Sequence, residues 1–456
     1  MYFFYLLWIF STGYAWSSLV SRSNGPWGQL ALMPWMGLFI PALLIYLLNL
    51  LHVPLTSLSL WGTWLPIGLL GVLLFLRKRP HFGRLHWTQI LLILALMGLM
   101  TRVGISSIWP GDGMYHWSYK ALDWRFNHAL VLSPELTKEL MTWNDYPYFH
   151  SICMLVNLLA IPIMPSAFSI HLADGMEMAG VILTALWLVS LFERLCLTLF
   201  PDQKLFEKKL FWLGALALGF SQRGLLEMVN SGYADIDIAY LLLLGFALMM
   251  DWQRTRPLVL GAVLGTCAIT KAEGIYRVVI MVLLCLPFLK IPIRRILPAI
   301  IPIFFLKKLD SFSHPYLTHY SQYTSELILV PARILAKVPI VTKALTFAYF
   351  NTYQGLFKAG TPLILLLALL CLLDVFLIKR DLYRPLHHFF GLLLMIFVME
   401  TLFNLMPTLL VINKVDPRLD NPLDLANLTL MRLHLQSALF LSGIVIFKTL
   451  FDRSRN

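Results

Sequence analysis

Charge is what this chain has least of. Only 13% of its 456 residues are Asp, Glu, Lys or Arg, against roughly 25% in an ordinary soluble domain. Hydrophobic types make up 59%, and mean hydropathy is +0.74. That balance excludes a soluble enzyme and a disordered tail, because so much apolar surface cannot be hidden in one water-soluble core. Alternation of apolar and polar residues is missing as well, which argues against a membrane barrel. Helices are then what can span, since backbone polar groups find no partner in hydrocarbon. Cysteine is sparse. Cys153, Cys196, Cys267, Cys285 and Cys371 lie in apolar runs, none at a metal-ligand spacing. They read as small hydrophobes rather than a disulfide scaffold. No P-loop, dinucleotide fingerprint or nucleophile elbow occurs, and no tandem repeat or low-complexity tract. Residues 1–20 lack a basic n-region and an A-x-A site. They read as an uncleaved first helix, not a signal peptide.

What is there is an all-α polytopic membrane pattern. Apolar runs that can span fall at 2–19, 30–52, 59–76, 87–105, 149–165, 172–200, 210–228, 234–252, 257–270, 275–290, 292–306, 360–378, 386–410 and 431–450. A span needs roughly 20 residues, so 257–270 and 292–306 are short and read as tilted or partly inserted. The set predicts a bundle of about 13 transmembrane helices.

The net charge of +12 does not call for nucleic acid, because the basic residues cluster beside apolar runs. This is the positive-inside pattern. Arg77, Lys78, Arg79 and Arg84 share a loop without an acid. Lys204, Lys208 and Lys209 mark a second such loop, Arg254 and Arg256 a third, Lys379, Arg380 and Arg384 a fourth, and Lys448, Arg453 and Arg455 the tail. Placed in the cytoplasm, they put 106–148, 229–234, 271–274 and 411–431 on the opposite side. Two features resist. If 149–165 crosses, then 172–200 cannot cross simply, because 201–209 is also cytoplasmic. A long tilted or in-plane helix answers this, with His171, Asp174, Glu177, Glu193 and Arg194 partly buried. Lys307 and Lys308 also fall at an outward end. The loop 106–148 holds Trp109, Trp117, Trp124 and Trp143 and suits an amphipathic, interfacial segment.

Five constellations carry chemistry. Asp112, between Gly111 and Gly113, follows an outward helix. It can accept a proton from a hydroxyl, or simply make a turn. Asn144-Asp145-Tyr146-Pro147 opens the run at 149 and suits a helix cap. Ser231-Gly232-Tyr233-Ala234-Asp235-Ile236-Asp237 opens the next. There Asp235 suits a cap and Asp237 the first turn, where the helix dipole welcomes a negative charge. Two carboxylates at one helix mouth exceed what capping needs. Thr270-Lys271-Ala272-Glu273-Gly274 is a polar break at a depth where charge is costly, or a plain Lys–Glu pair at a helix end. Arg432-Leu433-His434 sits at an outer end, where arginine forks a phosphate or snorkels. His116, four residues after Asp112, is the metal candidate, with no third ligand at a fixed spacing.

Taken in order, these elements resemble the GT-C superfamily of integral-membrane glycosyltransferases. The likeness is greatest to its bacterial branch related to polyprenyl-phosphate-sugar-dependent mannosyltransferases and lipid A aminoarabinose transferases. The matching residues are Asp112 with Trp117, Lys120 and Ala121, then Asp145-Tyr146-Pro147, then Gly232 to Asp235, then Thr270 to Gly274, and Arg432 to Leu435. The chain departs in having about four helices before the acidic loop, and Ala272 where an Asn is usual. The resemblance implies a GT-C-like bundle. Residues 1–105 would be N-terminal helices, 106–148 an outer catalytic loop, 149–306 the core, 307–358 a second outer loop and 359–456 the C-terminal helices. It implies transfer of a sugar from a polyprenyl-phosphate donor to a hydroxyl of a glycan, lipid or protein, with inversion. The setting would be the outer face of a bacterial inner membrane. Asp112 would be the general base, and Arg432, Lys271 or Lys120 would hold the donor phosphate. Trp117, Asp145, Tyr146, Asp235, Asp237, Glu273 and His434 would line the substrate. No cofactor is certain, and a divalent metal ion is possible. A secondary transporter or lipid flippase would use similar intramembrane charges, and a polysaccharide polymerase or ligase would use similar donors.

Overall fold

The computed structural model describes residues 2–21, 24–78, 87–105, 117–133, 148–199, 234–271, 274–313 and 339. Helices dominate, and no strand occurs among the described residues. They are α1 (Tyr2–Val20), α2 (Gly25–Leu50), α3 (Ser57–Lys78), α4 (Trp87–Ile105), α5 (Tyr119–Asn127), α6 (Phe149–Ala160), α7 (Ser166–Leu199), α8 (Asp235–Met250), α9 (Pro257–Ala268), α10 (Gly274–Phe288), α11 (Ile293–Ile296) and, after a short 3₁₀ turn, α12 (Ile300–Ser313). Three of them, α1 to α3, are long and apolar enough to cross a membrane. The expected count of about 13 spans falls partly on residues outside the described set. The chain divides into two compact units. The first comprises Met1–Trp187, Leu226–Val278 and Ile291–Leu317, and everything below concerns it. Of the second, the described parts are the end of α7, most of α10 with the two residues after it, and residue 339.

Helices that lie in apolar surroundings gain little from hiding apolar side chains, so close backbone approach and hydrogen bonds hold them together. Gly13 of α1 lies against the backbone of α2 at Met33 and Gly37, and Gly37 lies against Ile9. A methyl group on Gly37 would meet the Ile9 carbonyl at 2.9 Å. Gly261 and Gly265, four residues apart on α9, face Ala299 and Ile303 ahead of and within α12. This is the small-xxx-small pattern.

Helix α2 carries Pro34 and Pro41 in its interior. The Tyr240 hydroxyl, from α8, donates to the Ala31 carbonyl at 2.7 Å and accepts from the Trp35 N–H at 3.0 Å. Those two backbone groups are i−4 partners in an unbroken helix. Tyr240 has inserted itself into the ladder beside Pro34, where a proline already loosens the helix.

The ends of the helices fall into two groups tied by hydrogen bonds. At one end Asn24 donates to Asp251 and to Thr255, both at 3.0 Å, and Gly28 lies on the Trp187 ring. At the other, Leu130 N–H reaches Asn49 at 2.9 Å, and Leu55 N–H reaches the His128 carbonyl at 2.7 Å. Asp310 accepts there from the Tyr46 hydroxyl at 2.8 Å and from the Tyr148 N–H at 3.2 Å. The first group holds ends assigned above to the cytoplasmic side, the second ends assigned to the opposite side.

One expectation needs correction. The run 149–165 does not cross. Helix α6 has 12 residues, or about 18 Å, against a hydrocarbon core of about 30 Å. Both of its ends also stay in the second group. Phe149 N–H reaches the Ile269 carbonyl at 3.3 Å, Asn157 accepts from Tyr5 in the first turn of α1, and the Trp61 indole donates to the Ala160 carbonyl at 3.2 Å. Helix α7 then starts beside Tyr2 and Gly104 through Phe168, and passes to the other end at Trp187. It runs from one group of helix ends to the other, and 201–209 lies outside the described residues. Asp174 and Glu177 on it are fully buried, not partly.

Candidate functional site

The site grows from three short stretches at the second group of ends. Trp117 and Ser118 lead into α5, whose Lys120, Ala121 and Trp124 face inward. Lys120 is wholly buried. Its ammonium lies 5.6 Å from the Trp117 ring centre and 5.4 Å from that of Tyr148. Aromatic faces attract a cation most strongly where water is excluded. Trp124 packs against Tyr148 with centroids 4.6 Å apart. Trp117 and Trp124 are buried inside the protein. They wall in a charge.

The edge of Trp117 meets His150, centroids 5.4 Å apart. His150 is the second residue of α6 and is fully buried. Its Nδ1 lies 2.6 Å from Asp237 Oδ2. Around it stand Asp174, with Oδ1 3.9 Å from His150 Nε2, and Glu177, with Oε1 3.8 Å from Nδ1. His171 Nδ1 in turn touches Asp174 Oδ2 at 3.1 Å. Five titratable side chains from α6, α7 and α8 thus share one enclosed space, each no more than 2% exposed.

Helix α8 explains Asp237. Its N-cap is Ala234, and no side chain caps it. Asp235 is therefore its first helical residue rather than its cap, and Asp237 sits in the first turn as expected. The carboxylate of Asp237 does more than answer the dipole, because it orients His150. Between α9 and α10 the turn closes through Gly274 N–H to the Lys271 carbonyl at 2.9 Å. Gly274 is required there, since a Cβ would collide with the Cys267 carbonyl. Lys271 is partly exposed in that turn.

Of the sequence-expected residues, the structure brings Trp117, Lys120 and Asp237 together around His150; Lys271 lies in the turn between α9 and α10. The side chain of Asp235 lies outside the described set, as do Asp112, His116, Asp145, Tyr146, Glu273, Arg432 and His434. His150, Asp174 and Glu177 were not among the expected site residues. A signal existed: His171, Asp174 and Glu177 repeat every three residues in an apolar run, which puts ionisable groups on one helix face. The site has no counterpart to lean on, because no protein-family model, no curated protein and no solved structure matches this chain.

Proposed function

We propose that the chain is a membrane glycosyltransferase that moves a sugar from a polyprenyl-phosphate donor to an acceptor hydroxyl, at the outer face of a bacterial cytoplasmic membrane. The observation that carries this reading is the meeting of separate motifs. Trp117 and Lys120 of the first loop, the helix that follows Asp145-Tyr146-Pro147, and Asp237 after Gly232 to Asp235 join around His150. In this reading Asp112 takes the proton of the attacking hydroxyl. Arg432, with Lys271 or Lys120 assisting, balances the charge that builds on the departing lipid phosphate. The membrane supplies a donor already energised outside the cell, so no nucleotide-sugar domain is needed.

The purified protein in nanodiscs, given radiolabelled polyprenyl-phosphate sugars and a mixture of glycan and lipid acceptors, should yield labelled acceptor with inverted configuration. Absence of transfer from every such donor sinks the reading. Sidedness has its own check. Single cysteines at positions 80 and 112 should react with an impermeant reagent from opposite sides of the membrane, and labelling of both from one side is incompatible with an outward site.

A secondary transporter is the second reading, because buried carboxylates and histidines also serve coupled ion movement. Proteoliposomes that accumulate substrate on an imposed proton gradient, with no covalent transfer, would select it.

A further inference from the structure

We infer that His150, Asp174 and Glu177 bind one divalent first-row transition ion of the Zn²⁺ or Mn²⁺ kind, inside the bundle. Each offers a ligand atom, and the three atoms lie within 4.8 Å of one another. Three ligands at about 2.2 Å from a common ion stand about 3.6–3.8 Å from one another, so closing the shell takes side-chain shifts of up to about 1 Å.

Unmet acceptors point to a ligand independently. Asp174 Oδ1, both carboxylate oxygens of Glu177 and Asp237 Oδ1 are buried, with no hydrogen-bond partner among the described residues. A buried acceptor left unmet costs about 1–3 kcal/mol, and more when charged. Four such atoms around one histidine are an expensive arrangement unless a cation fills it.

The surroundings match a metal shell in a further respect. Ligating histidines usually give their other ring N–H to a carboxylate, and ligating carboxylates are held in turn. Here His150 Nδ1 lies 2.6 Å from Asp237, as the N–H of a ligating histidine would, while Nε2 lies 3.9 Å from Asp174 Oδ1. His171 holds the other oxygen of Asp174 at 3.1 Å. The donor set is one imidazole and two carboxylates. That mixture suits Zn²⁺ or Mn²⁺ better than Mg²⁺ or Ca²⁺, which prefer oxygen alone. Three protein ligands leave a position for water or an anionic oxygen. The inference does not depend on which reaction the protein performs.

The test uses the full chain in detergent, stripped with a chelator and dialysed against Zn²⁺ or Mn²⁺, with metal counted per chain by mass spectrometry. Wild type should keep about one ion, and Glu177→Gln and Asp174→Asn should each weaken binding by more than the roughly 10–100-fold expected of an outer-shell change. Asp237→Asn should keep the single site and lose about 10–100-fold in affinity. Added Zn²⁺ should raise the melting temperature of wild type and not of Glu177→Gln. Wild type that holds no more ion than Glu177→Gln overturns the inference and leaves the carboxyls sharing protons. Should the variants not fold, Mn²⁺-loaded wild type decides: spin-echo spectra should show one coupled imidazole nitrogen, and spectra without one overturn it equally.

Discussion

The pairing of α1 with α2 and the pairing of α6, α7 and α8 solve opposite problems within one compact unit. Where α1 meets α2, the contact is glycine against backbone, Gly13 on Met33 and Gly37 on Ile9. Where α6, α7 and α8 meet, the contact is His150 among Asp174, Glu177 and Asp237. The first arrangement asks only that two surfaces come close. The second sets charge in a place where charge is expensive, and nothing about packing demands it. Helices can be joined without such residues, as α1 and α2 show. The polar region is therefore where the work of the molecule is to be sought.

Substitutions can break that contrast. The largest effect is expected on the polar side. Asp112→Asn keeps the shape and removes the proton acceptor, so sugar transfer should fall by about 10²–10⁴-fold with donor binding retained. Asp123→Asn is the matched control. Asp123 accepts from the Ser133 N–H at 2.7 Å and from its hydroxyl, so the change should cost some stability and leave turnover near normal. Near-normal transfer by Asp112→Asn in a folded protein would move the base elsewhere.

Next comes the apolar side. Gly37→Ala forces a methyl group onto the Ile9 carbonyl at 2.9 Å, and overpacking of this kind costs about 1–3 kcal/mol. Gly98→Ala meets nothing within 4 Å and should be neutral or slightly stabilising, since alanine is the better helix former. Equal unfolding midpoints for the two variants would show that close approach does not hold α1 to α2.

Arg432→Lys should weaken donor use about tenfold, because lysine cannot make the two-bond fork to phosphate. Unchanged donor kinetics would return Arg432 to a snorkelling role. The smallest effect belongs to Tyr240→Phe. It removes the hydroxyl between Ala31 and Trp35 and should cost about 1 kcal/mol, read as a lowered melting temperature. Should α2 reclose its own ladder around the missing oxygen, amide exchange at Trp35 would slow rather than quicken.

The sequence by itself determined where most helices begin and end. The runs at 2–19, 59–76 and 87–105 became Tyr2–Val20, Ser57–Lys78 and Trp87–Ile105, because a long apolar stretch has few other structures open to it in a membrane. It also placed Asp237 in the first turn of α8, since local spacing decides that. It did not determine that α6 stops after 12 residues without crossing. Apolar side chains such as Ile152 and Leu155 suit a protein interior as well as lipid, and hydropathy does not distinguish the two. Nor did it show that His150, Asp174, Glu177 and Asp237 share one space. They stand up to 87 residues apart in sequence, and each is unremarkable on its own helix. Only the packing of α6 against its neighbours, with both ends held at one group of helix ends and α7 running from that group to the other, brought two carboxylates of one helix and one of another onto a single histidine.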